Sequence, residues 1–237
     1  DGNVYVGRLE GSSGTLLLSE GSSLSAGWVG IGRNRLAGGG DVDGGFATLM
    51  LDDSTLTAAH LVIGKNGLVG GDGGTIIGSV INHGVLSIGK SPGSMLIDGG
   101  YTAGVDGRVI MEIEWDGGEF KTDQLFFSAG SVLDLAALKV EFRFLGATDP
   151  NAFQASGRFD IDSFFRSLDL GGGSSDLPHD LFATASFSAQ ADQYRISDFS
   201  FSADGGASFS AQPVPEPGTW AMLAAGLLTL AVRRRQR

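Results

Sequence analysis

Three sets of residues have types and spacings that could do chemistry. The first is Pro215-Glu216-Pro217-Gly218, followed by the uncharged run 219–232 and then Arg233, Arg234, Arg235 and Arg237. The prolines favour extended backbone and remove N–H donors, so this stretch presents accessible peptide bonds around a single carboxylate. That is the chemistry of a cleavage substrate. The run contains Trp220, Ala221, Met222, Leu223, Leu227, Leu228, Leu230 and Val232. Its 14 residues would span about 21 Å as a helix, against a hydrocarbon core of about 30 Å. The run is short for a permanent anchor, although Arg side chains that snorkel extend its reach. Trp220 suits one membrane interface, and the arginines, as a basic stop, suit the cytoplasmic side. The prediction is a removable sorting tail; an ordinary C-terminal anchor is the alternative.

The second set is the three histidines, His60, His83 and His179. His60 occupies a repeat position that the preceding copy fills with Trp28, which points to packing. His83 sits in a turn and His179 follows Pro178 in a loop. No pair has a ligand spacing such as His-x3-His, so catalytic zinc is not expected. The third set is carboxylate-rich. Asp41, Asp43, Asp52 and Asp53, with Asp72 in a Gly-rich turn, offer oxygens to calcium. Asp in such turns more often caps its own backbone, so the reading is no cofactor, with calcium left open. Lys65 and Lys90 end strands near turns at the repeat position of Arg33, which marks a structural turn and no unique site. No Gly-x-Ser-x-Gly, His-Glu-x-x-His or phosphate loop is present. No catalytic residue and no metal ligand is assigned.

Charge narrows the partners. The 237 residues carry 16 Lys and Arg against 27 Asp and Glu, a net charge of −11. Four of the arginines stand in the basic stop, so the remainder is more acidic still. Such a body is repelled by phosphate backbones, which argues against nucleic acid. The absence of Cys excludes disulfides and thiolate metal sites. Asp1 opens the chain with neither Met nor an apolar leader, the start of a fragment or of a processed protein.

The elements that carry these residues are short strands. The 39 glycines exclude a mostly helical chain, and the 42% hydrophobic content excludes a disordered one. Residues 14–34 and 47–66 repeat with one gap at Gly21. Thr15, Leu16, Leu18, Leu24, Ala26, Ile31 and Gly32 match Thr48, Leu49, Leu51, Leu56, Ala58, Ile63 and Gly64. A Gly-rich loop at 35–45 joins the copies, and a looser third copy follows from Thr75. Each copy buries too little apolar surface alone, so stacking predicts coils. The fold class expected is all-β: a parallel β-solenoid (right-handed β-helix) over 1–145, a β-rich cap or second subdomain over 146–212, and a sorting segment with a short hydrophobic helix over 213–237. Within the cap, 151–169 could hold one short helix and 171–175 reads as a link. Phe187, Phe199, Phe201 and Phe209 alternate with Ser and Ala as strands of a hairpin or small sheet.

Two resemblances sharpen these expectations. The Pro215-Glu216-Pro217 motif, the apolar run and the arginine cluster, in that order, resemble the PEP-CTERM sorting signal of Gram-negative bacteria. That resemblance implies export, recognition by an exosortase in the inner membrane, cleavage near the motif, and association with exopolysaccharide or biofilm matrix. The stretch 74–101, with Asn82-His83-Gly84 and Ser91-Pro92-Gly93 turns, resembles the β-helical passenger repeats of autotransporters. Together they imply an exported, non-enzymatic surface or matrix protein. A polysaccharide lyase or hydrolase on a β-helix and a calcium-dependent adhesin are the alternatives.

Overall fold

The apolar positions of the repeat become a continuous core because the chain alternates between two parallel sheets. A computed structural model describes residues 2–36, 40–89, 92–169, 173–202 and 204–214. One sheet runs through Asn3–Val6, Ser23–Ile31, Thr55–Ile63, Gly74–Asn82, Ser94–Asp98, Gln124–Ser128 and Phe165–Asp169. The other runs through Ser13–Leu18, Phe46–Leu51, Gly67–Gly71, Val85–Ile88, Arg108–Trp115, Lys139–Phe144 and Ser186–Ala191. Each turn of the chain adds one strand to each sheet, parallel to the strand before it.

The sequence repeat is the pairing register. Thr15, Leu16 and Leu18 lie beside Thr48, Leu49 and Leu51. Leu24, Ala26 and Ile31 lie beside Leu56, Ala58 and Ile63. Stacking continues where sequence identity fades: Leu49 pairs with Val69, Val69 with Leu86, Leu86 with Val109, Val109 with Val140, and Val140 with Phe187. Leu49, Val69, Leu86, Val109 and Val140 are almost completely buried. Each such side chain contributes about 1.5–3 kcal/mol of burial, so the column between the sheets supplies the main cohesion.

Glycine lets the corners of successive coils touch. A Cβ on Gly64 would lie 2.1 Å from the Gly32 carbonyl oxygen, and one on Gly107 would lie 2.0 Å from that of Asn82. No L side chain fits there, which accounts for part of the glycine excess. Asn82 is buried where the previous coil places Ile63. Its Nδ2 donates to the Tyr101 hydroxyl and to the Arg108 carbonyl, and its Oδ1 accepts from Gly84 N–H. The amide thereby ties three chain segments together.

Several local expectations change in detail. The 35–45 stretch is no plain loop: Arg33–Arg35 and Asp41–Asp43 pair antiparallel, held by an Arg33–Asp43 ion pair of 2.6 Å. Opposite charges facing across the strands favour that hairpin. In the 171–175 link, Gly173–Asp176 forms a strand antiparallel to Phe165–Asp169. His60 is exposed instead of packed, although it pairs in register with the buried Trp28. Neither sheet breaks at residue 145: Lys139–Phe144 pairs with Ser186–Ala191, and Gln124–Ser128 pairs with Phe165–Asp169.

Beyond these last parallel strands the chain closes over the core. The helix Pro150–Ala155 is N-capped by Asp149, whose carboxylate accepts from Asn151 N–H. It buries Phe153. The antiparallel hairpin Tyr194–Phe201 and Ala207–Pro213 lays Phe199, Phe201 and Phe209 against Phe159. Most ring pairs in this cluster are edge-to-face or tilted, for example Phe142 and Phe164 with centroids 4.7 Å apart, while Phe142–Phe187 and Phe199–Phe209 are stacked. The hairpin therefore covers apolar surface that the end of the parallel stack would otherwise expose.

Candidate functional site: the sorting segment and an Asp–His cluster

The hairpin also carries the last described residues before the C-terminal segment. Pro213 is the last strand residue and pairs with Tyr194. Val214 N–H donates to the Gln193 carbonyl, and the Val214 side chain is exposed. Pro215 therefore follows directly on the last described backbone bond of the body. The sequence-predicted motif Pro215, Glu216 and Pro217, the membrane run from Trp220 to Val232, and the basic stop all lie outside the described residues. Among the described residues no helix is long and apolar enough to cross a membrane.

The body brings together three side chains that sequence spacing did not connect. Asp160, Asp162 and His179 place ligand atoms within 4.8 Å of one another. Asp160 caps a short 3-10 turn, Ile161–Ser163, by accepting from Asp162 N–H. His179 begins a second such turn, His179–Phe182, and its Nε2 lies 3.0 Å from Asp162 Oδ2. The hairpin bend locks the arrangement: Ile161 N–H donates to the Gly205 carbonyl, and Asp160 bridges Gly206. Beside it opens a cleft of about 640 Å³, lined by His179, Asp180, Phe182, Phe187, Phe199 and Phe201 among others. The only cue in the sequence is the Asp160-x-Asp162 spacing. His179 joins through the closure of the cap, which no local pattern encodes.

Three of the carboxylates proposed for calcium have other work. Asp43 pairs with Arg33, Asp52 accepts from Asp72 N–H, and Asp72 accepts from Ser94 N–H. Lys65 is exposed at its turn, and His83 packs its ring beside Gly104. Sequence reading also missed Asp123, which is fully buried between coils. Its two oxygens accept from Gly93 N–H and Glu112 N–H, each at 2.7 Å. Burial pushes this carboxyl up to about 8, and the charges of Glu112 and Asp72 push the same way, while the two backbone donors oppose. It is a structural clasp between coils.

Comparison with known proteins adds one finding, and it falls on the C-terminal segment. A family model of the PEP-CTERM protein-sorting motif matches residues 213–235. The match begins at the last residue of the final strand and includes Pro215, Glu216, Pro217, the apolar run and Arg233 to Arg235. The chain therefore carries an exosortase sorting signal, which implies export and membrane association of that segment. No curated protein and no solved structure matches the chain.

Proposed function

We propose that this is an exported, non-enzymatic protein of the cell surface or exopolysaccharide matrix, whose C-terminal segment is an address removed by an exosortase. The body, read as a parallel β-solenoid of the autotransporter-passenger kind, is the cargo. After transient tethering in the inner membrane it acts outside the cell of a Gram-negative bacterium. The observation that carries this reading is the match of residues 213–235 to the sorting-motif model, in the order motif, apolar run and basic stop. The acidic surface keeps such a body soluble and apart from nucleic acid. Its stacked coils present long repetitive faces that suit a matrix component.

The test uses a Gram-negative host that carries an exosortase. Wild-type chain and a variant with Pro215, Glu216 and Pro217 replaced by alanine are followed by fractionation and immunoblot. The wild type should leave the inner membrane in a shortened form, and the variant should accumulate there at full length. Identical fractionation of the two would refute the reading.

A further inference from the structure

We propose that Asp160, Asp162 and His179 form a binding site for one divalent transition-metal ion, with Zn2+ the preferred occupant. Two carboxylates and one imidazole are a ligand set for such an ion. With metal–ligand bonds of about 2.0–2.1 Å, ligand atoms of a tetrahedral site stand roughly 3.3 Å apart. Here one pair is already at 3.0 Å and all three candidate atoms lie within 4.8 Å. Small side-chain rotations close the set, since three separate backbone segments already hold it in place.

One oxygen of the cluster, in a carboxylate whose side chain is 24% exposed, lacks a donor. Asp162 Oδ1 is buried and has no hydrogen-bond partner among the described residues. A buried carboxylate oxygen without a donor is costly, and a cation satisfies it directly. The described surroundings add negative charge. Asp180 lines the adjoining cleft, whose described lining contains no Lys or Arg. The Asp204 carboxyl is held low first by the Ser202 hydroxyl, and His179 contributes in the same direction. Gly205 keeps the space open, because a Cβ there would lie 2.7 Å from His179 Cε1 and 2.8 Å from Asp160 Oδ1.

Zn2+ is favoured over calcium because calcium seeks six to eight oxygens. Three protein ligands leave at least one position for water or for a group entering the aromatic cleft. The ion would clamp the 160–162 turn to the 179–182 turn and so fasten the cap to the last coil.

The test takes the full untagged chain, stripped with chelator in mild detergent and titrated with Zn2+, Ca2+ or Mg2+ by calorimetry, with thermal melts alongside. One Zn2+ should bind per chain and raise the melting temperature by several degrees. Asp162→Asn and His179→Gln should each weaken binding by more than about 100-fold, beyond the loss usual for a supporting hydrogen bond. His60→Gln should bind as wild type. If a variant does not fold, the unaltered chain decides: Zn2+ should protect His179, and not the exposed His60, from diethylpyrocarbonate. No saturable Zn2+ binding, binding unchanged in both site variants, tighter binding of Ca2+ or Mg2+, or no protection of His179 would each overturn the proposal.

Discussion

Replacing Gly107 by alanine should separate two coils at a corner of the stack. The added Cβ would stand 2.0 Å from the Asn82 carbonyl oxygen. To reach ordinary contact the two backbones must part by about 1.4 Å. Two corner bonds sit at this point: Gly104 N–H to the Asn82 carbonyl and Arg108 N–H to the Gly84 carbonyl, each 2.8 Å. Stretching them by that amount ends them, at roughly 0.5–1.5 kcal/mol each. Displaced packing adds about 1–3 kcal/mol, for a total of about 2–6 kcal/mol. In a chain of this size that lowers the melting temperature by roughly 10 °C. Gly118 is the control, since a Cβ there meets nothing closer than 3.9 Å. Circular dichroism melts of both variants are the assay. A Gly107→Ala protein melting within a degree of Gly118→Ala would refute the claim that coil corners are in backbone contact.

Other outcomes follow from the same structure. Asn82→Ala should cost about 2–4 kcal/mol in denaturant melts, because it strands Gly84 N–H and removes donors to Tyr101 and Arg108; a cost below 1 kcal/mol (about the net worth of one bond) would contradict this. The Asp123 carboxyl titrates near 8 in the fold against an ordinary 3.8, so the folded chain holds a proton that the unfolded chain releases between those values. Stability should therefore fall as pH rises from about 4 to about 8, by up to about 1.4 kcal/mol per unit, and Asp123→Asn should flatten that slope; an unchanged slope in the variant argues against the assignment. Removing residues 215–237 should leave the body's melting temperature unchanged, since the last strand among the described residues ends at Pro213, and a lower melting temperature in the truncated chain would show that the segment supports the fold.

The parts of this fold that were legible in the sequence are those set by local periodicity. Leu16 over Leu49 and Leu24 over Leu56 could be aligned by eye, and they proved to be neighbours in the sheets. The Phe–Ser alternation marked strands, but it could not distinguish Ser186–Ala191, which joins the parallel stack, from Tyr194–Phe201, which turns antiparallel. Both patterns have period two, and they differ in the partner strand each one meets, which is not local. The Asp–His cluster was hidden for a related reason. Asp162 and His179 meet because two short turns are pinned beside the bend by Gly205 and Gly206, and a contact made by chain closure leaves no spacing rule behind. Asp123 gave no warning because its neighbours are ordinary strand residues, and its burial depends on which coil lies above. The sorting segment was the easiest to read, since its function lies in the order of residue types along the chain.

Intact mass measurement of the mature protein from an exosortase-bearing host shows whether the sorting segment is removed. A C-terminus close to Pro215-Glu216-Pro217 is expected, with the apolar run and the arginines gone. Mature protein still ending in Arg237 would contradict that expectation.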